Sequence, residues 1–212
     1  MRIRHGRLTL ELHELARRAG PTLLLLHALY GSSEDWGEAP AVWPGPVYAL
    51  DFAGHGKSDW VAGGVYYPEN LAADIDAALQ HIGGAAVSGA GLGGYLGLLV
   101  AGARPDLVSA LLLLPGPGLE GVGAAPDFDA PFPHLDDLPP ADHRTDPMVR
   151  LLETYVRPVE YVAPFAHAAR RVLLAEDGTP RPPWWDAVRQ SPATEEAPAD
   201  LRLALRRLAD HS

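Results

Sequence analysis

Short apolar runs, each bounded by Gly, Pro or polar residues, recur along the chain and alternate with segments of helical periodicity. Runs of this length and composition are typical of strands that are covered on both faces. The runs are residues 22–27, 47–51, 85–88, 109–114 and 171–175. This alternation of strand and helix predicts an α/β fold with a mainly parallel sheet.

Helical and hairpin signals complete the pattern. Apolar side chains recur at helical spacing in residues 68–83, 92–104 and 199–210. Residues 2–5 and 8–15 alternate apolar with polar side chains on either side of Gly6, which predicts an antiparallel hairpin at the start of the sheet. We therefore expect a parallel sheet with an N-terminal hairpin and with helices on both faces.

Residues 115–146 break the alternation because they are too rich in Pro, Gly and Asp for regular structure. A long excursion in a compact domain is either a functional lid or a disordered insertion, and the sequence favours neither. A helix is predicted to resume near residues 146–156. We expect a single domain over residues 1–212, with residues 115–170 as a reduced lid.

Composition excludes several classes of function. The chain has no cysteine, which rules out disulfides, thiolate nucleophiles and Cys-based metal sites. Its formal net charge of −10 argues against nucleic acid or an anionic membrane as a partner. The histidine spacing indicates no metal site, and we expect no cofactor.

The N-terminal sequence bears on where the protein is located, and the amino-acid usage bears on the kind of organism it comes from. Charges interrupt residues 1–20 every few positions, so we expect neither a signal peptide nor a membrane anchor and predict a cytoplasmic protein. Lys57 is the only lysine, and arginine replaces it elsewhere. This bias is a weak sign of a heat-adapted or high-GC organism.

The glycine-rich stretch at residues 85–102 fits two incompatible descriptions. Gly89, Gly91 and Gly94 satisfy the G-x-G-x-x-G pattern of a dinucleotide-binding turn, and residues 89–93 also fit G-x-S-x-G with the serine missing. A dinucleotide site needs the first βαβ unit and an acidic residue at the tip of the next strand. Two of the predicted apolar strands already precede the strand that leads into this turn, and the next strand ends in "LLLLPGPG". The stretch is therefore interpreted as an elbow without a serine.

Three motifs occur in a fixed order along the chain: "LLLLHALYGSSEDW" (23–36), "VYALDFAGHGKSDW" (47–60) and the glycine-rich turn. In this order they resemble the α/β-hydrolase superfamily, in particular its small esterase-like and MenH-like branches. In that superfamily the first motif is the oxyanion loop, the second is the D-x-x-G-x-G-x-S turn and the third is the nucleophile elbow. The resemblance implies the α/β-hydrolase fold and an ancestry of hydrolysis by a Ser–His–acid triad.

The residues expected of that triad are largely absent. Gly91 takes the position of the serine, which keeps the turn but removes the nucleophile. After the last predicted strand the chain offers only His211, beyond the final helix, as a base. Asp177 is the closest match to the acid, although its Asp-Gly context favours a turn former. Ser88 is an alternative nucleophile, but without a positioned base we interpret it as a structural hydroxyl.

The resemblance also implies a binding site. His27 matches the histidine of the oxyanion loop, and the backbone N–H groups of Leu29, Tyr30 and Leu92 are expected to face a ligand oxygen. The leading hypothesis is a non-catalytic protein that holds a small carbonyl or carboxylate ligand or a partner. The alternative is an active esterase or lyase that uses a displaced nucleophile or acid–base residues brought in by the lid. The sequence leaves the oligomeric state open.

Overall fold

The computed structural model describes residues 1–60, 65–120, 145–153 and 157–210. The strands are β1 (Arg2–His5), β2 (Leu8–Ala16), β3 (Leu23–Leu26), β4 (Val47–Leu50), β5 (Ala85–Ala90), β6 (Val108–Leu114), β7 (Val172–Ala175) and β8 (Thr194–Ala197). They form an eight-stranded sheet in the order β1-β2-β4-β3-β5-β6-β7-β8. β1–β2 and β2–β4 pair antiparallel and all other neighbours pair parallel. The predicted N-terminal hairpin and mainly parallel sheet are confirmed.

Helices cover both faces of the sheet, also as predicted. They are α1 (Pro68–Ile82), α2 (Leu92–Ala103), α3 (Ala163–Ala168), α4 (Trp184–Arg189) and α5 (Leu201–Ala209). The first four contribute buried side chains to one hydrophobic cluster. On the other face α5 packs in a second cluster with Trp36 and Trp43, close to two short 3₁₀ helices, Ser33–Trp36 and Ala39–Val42. The sheet therefore has a separate hydrophobic core on each face.

Local sequence explains why α1 and α2 form where they do. Pro68 occupies the first turn of α1, and Gly83 ends it with a left-handed φ of 82°. In α2, ten of the twelve residues are buried, from Leu92 to Ala101. Its small residues allow this burial: a Cβ on Gly93 would lie 2.6 Å from the carbonyl oxygen of His27. The small-residue helix thus packs directly on the sheet.

Parallel pairing brings the carboxyl ends of the central strands to one edge of the sheet. β3 runs there into His27, β4 into Asp51, β5 into the turn at Gly91 and β6 into Pro115. These residues come from separate parts of the chain. The sheet therefore places the three sequence motifs side by side.

The structure differs from the sequence prediction in the second half of the chain. The helix expected near residues 146–156 is a short 3₁₀ helix, Pro147–Leu152. β8, α3 and α4 were not predicted: β8 reads Thr-Glu-Glu-Ala and lacks an apolar run, and α3 and α4 have only six residues each. Within the expected lid, residues 121–144 and 154–156 lie outside the described residues. None of the described helices has the length and hydropathy needed to cross a bilayer.

Candidate active site

The turn between β5 and α2 has the sharp geometry expected of an elbow. Gly91 has a φ of 48° and a ψ of −115°, a conformation that side chains disfavour. Its N–H donates to the carbonyl oxygen of Leu114 at 3.1 Å, and its carbonyl oxygen accepts from the N–H of Tyr95 at 3.1 Å. Gly91 thus joins the ends of two neighbouring strands to the first turn of α2.

Two backbone donors converge beside this turn. The N–H of Leu29, in the loop after β3, and the N–H of Leu92, at the start of α2, point to one acceptor; we call them the donor pair. That acceptor is the carbonyl oxygen of Pro117, at 3.1 Å from Leu29 N and 3.0 Å from Leu92 N. Residues 115–118, which we call the plug, therefore occupy the place expected for a ligand oxygen.

The plug also fills the space above Gly91. A Cβ built on Gly91 would lie 2.6 Å from the carbonyl carbon of Gly116 and closer still to the oxygen of Pro117. The plug fits because it is itself rich in glycine: a Cβ on Gly118, whose φ is 110°, would lie 2.7 Å from the Cβ of Leu92. Elbow and plug therefore fit each other only without side chains at these positions.

The chain that follows the plug is fixed to the segment at residues 145–153. The N–H of Leu119 donates to Leu152 O at 2.7 Å, and the N–H of Glu120 donates to Glu153 O at 2.7 Å. Leu119 is 1% exposed, so its side chain anchors this stretch in the core. Leu119 and Glu120 both have a positive φ, 50° and 64°, which is strained for residues other than glycine.

Tyr30 contributes to the site through its side chain. Its hydroxyl donates to Glu153 Oε1 at 2.5 Å, which links the loop after β3 to the segment that holds the plug. Partial burial and this carboxylate neighbour both raise the pKa of Tyr30, so the phenol is neutral at physiological pH. Its φ of 66° marks a tight turn next to Leu29.

His27 is enclosed by the chain itself. It is 1% exposed, its Nδ1 donates to Ala28 O at 2.7 Å, and its Nε2 accepts from the N–H of Phe52 at 3.1 Å. Burial lowers the pKa of His27, so the ring is neutral and this pattern fixes its tautomer. With both nitrogens engaged, His27 ties the end of β3 to the loop after β4 and offers no free atom to a ligand.

Asp51 organises the second motif. Its carboxylate accepts the N–H groups of Ser33 at 2.8 Å and Lys57 at 2.9 Å, and Nε2 of His13 at 2.9 Å. Burial alone would raise the pKa of this carboxyl, but the hydrogen bonds from Lys57, Ser33 and His13 outweigh it and hold the pKa below its usual value. With its oxygens engaged by the chain, Asp51 is a structural residue that holds the second motif in place.

His55, in the second motif, is a buried histidine. It is fully buried, with Nδ1 3.2 Å from Ala53 O and its ring centroid 4.9 Å from that of His27. Its Nε2 has no hydrogen-bond partner within the described part of the chain. Burial, with a smaller effect of His27, lowers the pKa of His55 to about 3.

Ser88 lies on the far side of the sheet from α2. Its neighbours two positions away, Ala86 and Ala90, pack in the cluster around α5, whereas Val87 packs in the cluster around α2. Ser88 is fully buried, and no described residue forms a hydrogen bond with its Oγ. The structure therefore does not bring Ser88 together with Gly91 and the donor pair.

Asp177 lies in an exposed turn after β7. Its Oδ1 accepts the backbone N–H of Thr179 at 2.9 Å and the Thr179 hydroxyl at 2.6 Å. These hydrogen bonds lower the pKa of Asp177. The carboxylate thus stabilises its own turn, next to Gly178 with a φ of 85°.

A histidine is missing between the last strand and the last helix. β8 and α5 are joined by Pro198, Ala199 and Asp200. Asp200 caps α5 by accepting the N–H of Leu203 at 2.9 Å. His211, the only histidine that follows, lies outside the described residues. The described residues also contain no group of three or more His, Cys, Asp and Glu side chains suited to a metal ion.

The family described as alpha/beta hydrolase fold matches residues 21–200 of this sequence, which is most of the chain and includes the three motifs. The chain belongs to the α/β-hydrolase family. The match begins just before β3 and ends at the N-cap of α5, so it contains the elbow, the donor pair and the plug.

Curated members of the family are similar to parts of the chain. Lipase LipV of Mycobacterium tuberculosis is 32% identical over 148 residues, which cover 65% of this chain and 54% of the lipase. Esterase Rv0045c of the same organism is 30% identical over 98 residues, 45% of this chain and 33% of the esterase. The match thus spans about half of the lipase and a third of the esterase.

Solved structures show the same fold over the whole chain. The hypothetical protein PA1622 from Pseudomonas aeruginosa has a TM-score of 0.68 at 19% identity, covering 100% of this chain and 96% of that one. Est1E from Butyrivibrio proteoclasticus, solved with ferulic acid, has a TM-score of 0.66 at 20% identity and covers 99% and 96%. At these identities the likeness concerns the fold.

Proposed function

We propose that this chain is an α/β-hydrolase-family protein that does not hydrolyse esters through a serine, and that its elbow serves to bind a small carbonyl or carboxylate ligand or a partner. One observation carries the proposal: the carbonyl oxygen of Pro117 lies between the N–H groups of Leu29 and Leu92, directly over Gly91. The donor pair is thus arranged for a carbonyl oxygen, and the nucleophile's space is closed.

The absence of catalysis is supported at each position of the triad. Gly91, which the family resemblance aligns with the serine, has no hydroxyl. The link between β8 and α5, where the resemblance expects the base, has Asp200 as a helix cap. The carboxylate of Asp177 accepts two hydrogen bonds from Thr179. Proton transfer from a nucleophile to an oriented histidine needs all three groups within hydrogen-bond reach.

Retained binding is supported by the donor pair. Two N–H groups that converge on one oxygen, one of them at the N-terminus of the twelve-residue α2, favour a carbonyl or an anionic oxygen. A carboxylate gains more from such donors than a neutral carbonyl does, because charge-assisted hydrogen bonds are stronger. A small monocarboxylate is therefore the simplest probe of this site.

The test is intact mass after incubation with a fluorophosphonate, for the parent protein and for Gly91→Ser. We expect no adduct on either, because the parent lacks a nucleophile and the variant lacks a base. Gly37→Ser is the matched control, because Gly37 has the same φ of 48° but no atom within 4 Å of its Cβ position.

The other outcomes of this experiment contradict the proposal. An adduct on the parent would establish an active enzyme with a displaced nucleophile, and peptide mapping would identify the residue. An adduct on Gly91→Ser alone would show that a working base exists near the elbow. In either case the chain retains serine-hydrolase chemistry that the described residues do not account for.

A further inference from the structure

While the plug is in place, no other ligand can bind to the donor pair. Leu29 and Leu92 donate to one oxygen, and that oxygen belongs to Pro117. The backbone of Gly116 lies over Gly91, so the volume next to the donors is filled as well. A ligand oxygen can reach the donor pair only after the Pro117 carbonyl has left it.

We propose that residues 115–118 are an autoinhibitory plug, an internal occupant of the donor pair that a small monocarboxylate displaces. The inference rests on the proposed function, because it assumes that the donor pair binds a ligand oxygen. It adds that the protein has a closed state, which is the one described above, and an open state in which the plug has moved away.

The chain next to the plug has the features of a hinge. Gly118, Leu119 and Glu120 have φ values of 110°, 50° and 64°, three successive residues in a region that only glycine enters freely. Strained backbone is kept where the surrounding contacts impose it, and it clusters at switch regions. Gly118 adopts its φ of 110° without strain because it is glycine, so the backbone can turn there while Leu119 and Glu120 stay in place.

The last two of these residues, Leu119 and Glu120, are held independently of the plug. Leu119 is buried, and its N–H and that of Glu120 donate to the carbonyl groups of Leu152 and Glu153. These contacts do not involve the donor pair. The plug can therefore leave Leu29 and Leu92 while the segment after it keeps its attachment, as a hinged flap does.

Closure by the plug lowers the apparent affinity for a ligand. A ligand that binds only the open state binds with an affinity reduced by the fraction of molecules that are open. A substitution within the plug that drives it off the donor pair removes this reduction and leaves Leu29 and Leu92 themselves unchanged in sequence. Gly118→Ala is suited to this purpose, because its Cβ would collide with Leu92 and its φ of 110° is unfavourable for alanine.

The experiment measures amide hydrogen exchange at Leu29 and Leu92, and titrates sodium butyrate by NMR, in the wild type and in Gly118→Ala. Gly178→Ala is the matched control, with a φ of 85° and no atom within 4 Å of its Cβ position. We expect Gly118→Ala to speed exchange of both amides about tenfold and to lower the Kd for butyrate by a similar factor. The control should change neither.

Failures of the two proposals are distinguishable. If butyrate binds the wild type and Gly118→Ala with the same Kd, the donor pair binds a carboxylate but the plug does not compete with it, which overturns the inference alone. If butyrate shifts neither amide in either protein while exchange rises in Gly118→Ala, the proposed ligand class is wrong. The wild-type titration needs no variant, so a Gly118→Ala protein that does not fold leaves that second test in place.

Discussion

At the scale of single residues, Gly91 is required for two separate physical reasons. Its φ of 48° disfavours any side chain, and the plug leaves no room for a Cβ. Gly37 shares the first reason but not the second, since it has a φ of 48° and a ψ of −124° with open space around it. Comparing Gly91 with Gly37 therefore separates the cost of backbone strain from the cost of a steric clash with the plug.

Alanine substitution at the two glycines measures each contribution. We expect Gly37→Ala to lower the free energy of unfolding by about 1 kcal/mol, the effect of the backbone conformation alone. Gly91→Ala should cost about 2 kcal/mol more, because the methyl group overpacks against Gly116 and Pro117. Urea denaturation of the two variants and the wild type gives both values. Equal losses would mean that the plug does not rest on Gly91.

His55 makes stability depend on pH. Its pKa is lowered from 6.5 to about 3 in the folded protein, so between these values the unfolded chain binds a proton that the folded chain does not. Above pH 6.5 the group is neutral in both states and does not reduce the free energy of unfolding. As the pH falls from 6.5 toward 3, the free energy of unfolding decreases by about 1.4 kcal/mol per pH unit.

The variant His55→Phe tests this dependence, because it keeps an aromatic ring against His27 and removes the titrating group. The free energy of unfolding, measured by urea denaturation from pH 7 to pH 4, should fall less steeply in the variant, by about 1.4 kcal/mol per pH unit. Comparing slopes cancels the contributions of Asp51, Asp74 and the other carboxyls. Parallel curves would show that His55 is not kept neutral by burial.

Among the elements, hydrophobic periodicity predicted the apolar strands and the longer helices α1, α2 and α5, but not the six-residue helices α3 and α4. α1, α2 and the central parallel strands were found within a few residues of their predicted bounds. β8 was not found, because its sequence Thr-Glu-Glu-Ala carries no apolar signal and its position depends on pairing with β7. A strand that is positioned only by pairing with a distant segment carries no local signal in the sequence.

The final helix provides a test of a local element. Asp200 caps α5 through Leu203 N–H, so we expect Asp200→Ala to lower the free energy of unfolding by about 1 kcal/mol, measured by thermal denaturation. Asp210, at the opposite end of the same helix, is the matched control. Asp210→Ala should be neutral or slightly stabilising, because a negative charge is unfavourable at a helix C-terminus. Similar losses in both variants would argue against the cap.

At the scale of the whole molecule, the site is an assembly of distant segments. The order of the three motifs predicted the fold, and the family resemblance predicts that Gly91 stands where a serine is expected. The sequence did not indicate that Pro117 lies on the donor pair, because this contact joins the ends of β3 and β6 to the start of α2 through the sheet. The only sequence feature at this position is "PGPG" after an apolar run. It predicts an irregular segment but does not predict which residues that segment contacts.

Scalar coupling across hydrogen bonds detects whether the carbonyl oxygen of Pro117 accepts both hydrogen bonds of the donor pair. In perdeuterated, ¹⁵N,¹³C-labelled protein, we expect the amide nitrogens of Leu29 and Leu92 both to correlate with the carbonyl carbon of Pro117, as their distances of 3.1 and 3.0 Å require. The site is then closed by its own chain. If neither amide correlates with Pro117 and both exchange as rapidly as exposed amides, the donor pair is open and residues 115–118 do not close the site.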